Sequence, residues 1–238
     1  MKSISKAAVG GLLWLTFSAF AFGDTITFTG IPNEVEGGGQ FTATLASDPG
    51  QTLYVYCVDF NNDLTFDVPY TVNDTNLLAG PITNTRYGTT PISGFTTQTT
   101  PPSDGTPTDR YAMAAYLITQ YNFTMGVTAA DYQIQNAIWT LLDATGNTFT
   151  SNGGVGNYLT QAETWFQTLS ANPSALAAFE SEVTIYSSTS IAGSSIPGRY
   201  GPDFGNQEMI GIAPEPQSLA LLGAGLLALG LFRKRVKA

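Results

Sequence analysis

Hydrophobic and polar positions alternate in the first sixty residues with the two-residue period of half-buried β-strands. The alternation covers residues 25–29 and 40–46, and the glycines at 37–39 predict a loop between them. Residues 52–60 are instead apolar on both faces and rich in β-branched and aromatic side chains. That pattern predicts a central strand covered on each side. The body of the chain is therefore expected to begin as β-sheet.

Apolar residues then recur with the period of amphipathic helices. Four segments show this, at 110–121, 128–142, 157–170 and 173–182. Asp109 is the expected cap of the first, and a Thr-x-x-Asp box opens the second. The second has the clearest pattern, since its apolar residues fall at i, i+3, i+4, i+7 and i+8 from Ile134.

Strand-like segments return at 183–188 and 209–212. Strands, then helices, then strands predict an α+β fold, with a β-rich sandwich or barrel-like core and a helical subdomain of three to four helices. Residues 86–108 are dense in Thr, Pro, Gly and Ser and predict a loop insertion, while the Ser- and Gly-rich residues 187–207 predict a flexible segment.

Both ends of the chain carry apolar runs that do not belong to this fold. Lys2 and Lys6 precede an apolar run at 7–22, which predicts a secretory signal peptide over 1–23. At the other end, a second apolar run at 219–232 predicts a C-terminal hydrophobic anchor helix. Its roughly 14 residues extend about 21 Å, against about 30 Å of bilayer hydrocarbon. The basic cluster that follows would stay cytoplasmic, so residues 24–212 are expected to form one exported domain and 213–238 a membrane-anchoring sorting segment.

This tail resembles the PEP-CTERM sorting signal of Gram-negative bacteria. The matching residues are Pro214, Glu215 and Pro216 in the motif and Arg233, Lys234 and Arg235 in its basic end. The resemblance implies a temporary membrane anchor, an exosortase-type processing enzyme as partner, and a final location at the cell surface or in an exopolysaccharide or biofilm matrix. An ordinary tail anchor would have the same hydropathy profile.

Charge and composition exclude several functions. The net charge is −9, and six of the nine basic residues lie in the two terminal signals, which leaves an acidic body that does not suit nucleic acid. The chain has no histidine, which removes Ser-His-Asp and Cys-His catalysis and the usual zinc sites. No acidic pair is marked out for glycoside hydrolysis. We therefore predict a protein that is not an enzyme and needs no cofactor.

One polar stretch has the spacing of a calcium loop. Its alternating oxygen-bearing residues are Asp59, Asn61, Asp63, Thr65 and Asp67. The match breaks where the loop needs glycine and a bidentate glutamate, because Leu64 and Tyr70 occupy those positions. The polar face of a strand produces the same alternation, so no metal site is predicted.

The single cysteine, Cys57, lies on the apolar strand, and Gln135 lies on the clearest helix. Their surroundings, YCVD at 56–59 and IQNAIW at 134–139, resemble the paired motifs of the thioester domains of bacterial surface adhesins. The resemblance implies an internal thioester between Cys57 and Gln135, used for covalent adhesion to an amine-bearing surface ligand or a polysaccharide. The environment residues that it implies are Tyr56, Asp59, Ala137 and Trp139. Those adhesins are best known from Gram-positive organisms, so a Gram-negative sorting tail departs from the pattern.

The chemistry is accessible to these two residue types. A cysteine thiolate can attack a glutamine carboxamide and expel ammonia, which leaves an activated acyl group for an outside nucleophile. The alternative is an inert buried Cys57, since cysteine is among the most frequently buried residues. The protein would then be a noncovalent structural or polysaccharide-binding matrix protein.

Overall fold

The computed structural model describes residues 23–60, 64–88, 106–142, 154–189 and 207–213. Within them the strands are β1 (Asp24–Val35), β2 (Gly38–Leu45), β3 (Asp48–Cys57), β4 (Tyr70–Asn76), β5 (Val183–Ser188) and β6 (Met209–Ile212). The helices are α1 (Pro107–Ile118), α2 (Ala129–Leu142), α3 (Val155–Ser170) and α4 (Pro173–Ser181), with a 3-10 turn at Ile82–Asn84. The α+β prediction is confirmed.

The six strands form a closed antiparallel barrel in the order β1-β2-β3-β6-β5-β4. The late strand β6 lies between β3 and β5. Its residue Met209 pairs with Cys57 of β3 on one side and with Tyr186 of β5 on the other. Pairing of Asp24 with Val72 joins β1 to β4 and closes the ring. The core is therefore the barrel-like form of the prediction rather than a sandwich.

Two hydrophobic clusters meet at the wall of the barrel. The first fills the barrel with apolar side chains from its strands and includes Cys57 and the α2 residue Trp139. The second packs α1, α2 and α3 together against Val183, Ile185 and Ile210 of β5 and β6. Small residues at Ala112, Ala114 and Ala115 allow the close approach of α1 to its neighbours. Trp139 reaches from the helical layer into the barrel cluster, so α2 belongs to both.

The four predicted helices are present, with corrections to the first one. It begins at Pro107 rather than after Asp109 and ends at Ile118, so Tyr121 lies outside it. Thr106 is its N-cap: the Thr106 side chain accepts from the backbone N–H of Asp109 at 3.3 Å, and the Asp109 carboxylate accepts from the N–H of Thr106 at 2.8 Å. Proline at the first position fits because that position needs no donor. Asp109 therefore closes a capping box from inside the helix.

The strand predictions need three corrections. The glycines at 38 and 39 belong to β2, so the turn between β1 and β2 is shorter than the predicted loop. The third strand ends at Cys57, and its second face is covered at Tyr56 but open at Tyr54, which is 53% exposed. The strand Tyr70–Asn76 was not predicted, because its many polar residues hide the alternation.

The described residues include the ends of both predicted loops. Residues 86–88 follow the 3-10 turn, and α1 begins at Pro107, while residues 89–105 lie outside the described part. Ser187 and Ser188 belong to β5, and residues 190–206 lie outside. No helix in the described ranges is long and apolar enough to cross a membrane. The predicted anchor helix and signal peptide both fall outside those ranges.

One carboxyl in the barrel wall is poorly solvated. Asp74 of β4 is half-buried, and its Oδ1 has no hydrogen-bond partner among the described residues. Burial raises the pKa of this carboxyl to about 6, and the nearby Asp24 carboxylate adds to the shift. A raised pKa in the folded state means that the charged form opposes folding. This penalty is present at neutral pH and is relieved as the pH falls through 6.

We therefore expect Asp74→Asn to be more stable than the wild type at pH 7 and to lose most of that advantage by pH 4. Thermal unfolding measured across this range would test it. Asp48→Asn, at an exposed position of β3, is the matched control for the loss of one negative charge. An Asp74→Asn advantage that is independent of pH would contradict the assignment.

Candidate functional site

Cys57 and Gln135, which are 78 residues apart in sequence, meet where β3 ends against α2. Both residues are fully buried. The Gln135 side-chain nitrogen donates a hydrogen bond to the backbone carbonyl of Cys57 at 3.1 Å. The fold therefore brings the carboxamide of Gln135 directly to the cysteine residue.

The carbonyl oxygen of the same carboxamide accepts two hydrogen bonds. The backbone N–H of Gly39 donates to Gln135 Oε1 at 2.7 Å, and the Tyr121 hydroxyl donates to it at 2.8 Å. A backbone N–H can only donate, which fixes the orientation of the amide with its oxygen toward Gly39. Sequence reasoning found neither of these partners.

The turn between β1 and β2 lies directly over this carboxamide. Gln40 pairs with Tyr56, so Gly39 stands beside the end of β3. Gly39 has a φ of +91°, which favours glycine. A Cβ on Gly38 would lie 2.8 Å from Gln135 Cδ and 2.8 Å from Trp139 Cζ2. Glycine at 38 is therefore what allows the backbone to cover the site closely.

The cysteine sulfur lies among polar groups but is shielded from water. Cys57 Sγ is 3.3 Å from the backbone oxygen of Asp59, to which the thiol donates. Burial raises the pKa of this thiol to about 12, and repulsion from the Asp59 carboxylate adds to the effect. Hydrogen bonds from the Asp59 backbone and the Trp139 side chain and the charge of Arg86 act in the opposite direction. At neutral pH the group is a thiol rather than a thiolate.

Aromatic rings cover the site on two sides. Trp139 is 2% exposed, and its ring meets that of Phe60 edge to face at a centroid distance of 5.0 Å. On the other side, the ring of Tyr121 stacks on Tyr56 at 5.7 Å and on Phe123 at 4.9 Å. The Tyr56 hydroxyl is itself held, because it accepts from the Gln40 side chain at 2.8 Å. Ala137, by contrast, lies in the helical core cluster.

Asp59 anchors the end of β3 in a buried ionic network. Its carboxylate accepts from Arg86 at 2.7 Å and from the Tyr87 hydroxyl at 3.0 Å. The backbone N–H of Glu208 donates to it at 3.3 Å. The Glu208 carboxylate accepts in turn from the Arg86 backbone at 2.6 Å and from the Tyr111 and Ser187 hydroxyls.

All of these hydrogen-bond and ionic partners of Asp59 are groups of the protein itself. The described ranges contain no group of three or more His, Cys, Asp or Glu residues arranged to hold a metal ion. Asn61 and Asp63, two members of the calcium-like stretch, lie outside those ranges.

Comparison with known proteins identifies the tail. The family model of the PEP-CTERM protein-sorting motif matches residues 213–235, a range that includes the predicted motif and its basic end. The match supports export with a C-terminal sorting signal that an exosortase processes. Residues 214–238 lie outside the described part of the structure.

No curated protein and no solved structure matches the chain. The resemblance of the body to thioester domains therefore has no support among known proteins and stays a prediction.

The close packing at Gly38 generates a prediction about the site. We expect Gly38→Ala to destabilise the folded protein by about 1–3 kcal/mol, because the new Cβ overlaps the Gln135 carboxamide and the Trp139 ring. Denaturant-induced unfolding would measure the loss. Gly50→Ala is the control, since a Cβ at that position has no heavy atom within 4 Å. Equal stability of the two variants would show that the turn does not hold the carboxamide as described.

Proposed function

We propose that this chain is an exported, exosortase-sorted surface or matrix protein whose body forms an internal thioester between Cys57 Sγ and Gln135 Cδ. The thioester would serve covalent attachment to an amine-bearing ligand at the cell surface or in the surrounding polysaccharide matrix. The observation that carries the proposal is the buried Gln135 carboxamide, which is hydrogen-bonded to the backbone of the single cysteine at 3.1 Å.

The reaction balances without a cofactor. Cys57 gives up its thiol proton to solvent, and the thiolate sulfur attacks Gln135 Cδ. The C–N bond of the carboxamide then breaks, and the departing nitrogen takes up one proton from solvent and leaves as ammonia. In the second reaction, an amine of the ligand attacks the same carbon, the C–S bond breaks, and the thiol regains a proton. Each chain would react once, so the protein would act as an adhesive rather than as an enzyme.

The burial of the site favours survival of such a bond. Cys57 and Gln135 are both 0% exposed, and the aromatic rings around them limit the access of water, which would hydrolyse a thioester. The composition of the body points the same way. The sequence contains no lysine between Lys6 and Lys234, so the exported body has no side-chain amine that could attack its own thioester.

A noncovalent function is the second candidate, because the helical layer carries a shallow, open groove. The groove has a volume of about 450 Å³ and is lined by α3 and by Tyr116 of α1. Tyr116 and Trp165 stack in it at 4.6 Å, next to the exposed residues Gln161 and Thr164. Aromatic faces beside hydroxyl and amide groups suit a sugar. An inert Cys57 with polysaccharide held in this groove would give a matrix protein without covalent chemistry.

The mass of the intact protein tests the thioester. We expect the folded, non-reduced body to weigh about 17 Da less than its sequence, because bond formation releases one ammonia. Cys57→Ala and Gln135→Ala should each abolish this loss. Gln167→Ala, which changes an exposed glutamine of α3, is the matched control and should retain it.

Attachment separates the two candidates. Covalent adhesion requires Cys57→Ala to lose attachment to an amine-bearing surface, while noncovalent binding predicts attachment equal to that of the wild type. Full sequence mass in undegraded wild-type protein would rule out the bond.

The pKa of Cys57 predicts how fast the bond forms. The thiolate is the attacking species, and its fraction rises about tenfold per pH unit below a pKa of about 12. We therefore expect the rate of mass loss after refolding to rise about tenfold per unit between pH 7 and pH 9. Mass spectrometry of samples quenched in acid would follow it. A flat profile would argue against a thiolate nucleophile.

A further inference from the structure

The two donors on the Gln135 carbonyl oxygen have the geometry of an oxyanion hole. The Gly39 N–H lies at 2.7 Å and the Tyr121 hydroxyl at 2.8 Å from Oε1, within the range at which such donors act. Both point at the oxygen that would become negative if sulfur added to Cδ. We propose that Tyr121 and the backbone of Gly39 form an oxyanion hole that drives thioester formation at Gln135, an inference that rests on the proposed function.

The need for such a hole follows from the state of the nucleophile. Burial keeps Cys57 in its thiol form at neutral pH, so only a small fraction of the molecules carries the reactive thiolate. A carboxamide is also a poor electrophile, because its nitrogen donates electron density into the carbonyl group. Activation must therefore come from the carbonyl side, where the two donors are placed.

The donors are held in place by structure that does not depend on the reaction. Tyr121 is clamped between the rings of Tyr56 and Phe123, which fixes its ring plane. Burial also raises the pKa of Tyr121 well above its ordinary value, so the hydroxyl retains the proton that it donates. Gly39 is fixed by the β1–β2 hairpin, where it pairs with Glu34. Preorganised donors lose little freedom when the charge develops.

The same hole would act in the second reaction. An amine that attacks the thioester adds to the same Cδ and places negative charge on the same oxygen. Tyr121 is half-buried, whereas Gly39 and Cys57 are buried, so this tyrosine stands at the boundary between the carboxamide and solvent. Tyr121 is thus a catalytic residue for both the formation and the use of the bond.

The test is the rate of mass loss after refolding in Tyr121→Phe. The substitution keeps the stacked ring and removes only the hydroxyl. We expect formation to slow about 100-fold relative to the wild type, the usual effect of deleting one oxyanion donor. The same variant, once its bond has formed, should also react more slowly with methylamine.

Tyr158→Phe is the matched control. The Tyr158 substitution removes a hydroxyl from a half-buried tyrosine of α3 that lies outside both candidate sites, and this variant should form the bond at the wild-type rate. Circular dichroism would establish that both variants fold. If Tyr121→Phe fails to fold, 3-fluorotyrosine at position 121 provides a second test, because it keeps the ring and has a more acidic hydroxyl. We expect this variant to form the thioester faster than the wild type. An unchanged or slower rate would overturn the proposal.

The outcomes separate the two proposals. A wild-type protein that never loses mass overturns the thioester and the oxyanion hole with it. Wild-type mass loss together with an equal rate in Tyr121→Phe leaves the thioester standing and overturns only the oxyanion hole. Slow bond formation in Tyr121→Phe together with the wild-type rate in Tyr158→Phe supports both.

Discussion

Two buried carboxylates and one guanidinium hold the end of β3, and the position of the cysteine depends on them. Asp59 and Glu208 are both 0% exposed, while Arg86 is 13% exposed and pairs with Asp59 at 2.7 Å. Buried charges are tolerated only when they are paired and hydrogen-bonded, and here hydroxyl and backbone donors supply the remaining bonds. The network also ties the strands together, because the N–H of Val58 donates to the carbonyl of Glu208 at 3.1 Å. It therefore fixes the chain immediately after Cys57.

Around that fixed point, one carboxamide connects the two layers of the fold. Gln135 belongs to α2, yet it donates to β3 through Cys57 and accepts from β2 through Gly39. Trp139, one turn further along the helix, enters the barrel cluster. A buried polar side chain destabilises the folded protein unless it is hydrogen-bonded. The packing of α2 on the barrel therefore depends on these hydrogen bonds as well as on apolar contacts.

The sequence allowed prediction of those parts of the fold that depend on local pattern. Helix periodicity identified α2 and α3, and the residue types at Cys57 and Gln135 marked them as unusual. The strand β4 was not predicted, because its polar and apolar residues do not alternate clearly. Its position in the barrel depends on pairing with β5, which follows more than 100 residues later in the sequence. Gly39 was predicted only as part of a loop and Tyr121 only as the end of a helix, so neither was predicted to contact Gln135. Their contact with Gln135 exists only after the barrel closes, and Gly39 is 96 residues away from it.

Burial has opposite effects on the two halves of the proposed reaction. Exclusion of water would protect a thioester from hydrolysis, but it also raises the pKa of Cys57 and so withholds the charge that makes sulfur a good nucleophile. An exposed cysteine would react readily and lose its product to water. In the proposed solution the sulfur rests as a thiol, its small thiolate fraction attacks, and the carbonyl oxygen receives two fixed donors. Those donors would stabilise charge in the transition state without opening the site to solvent, so the proposed reaction depends on the hydrogen bonds to Gln135 Oε1 as well as on the ionisation of the cysteine.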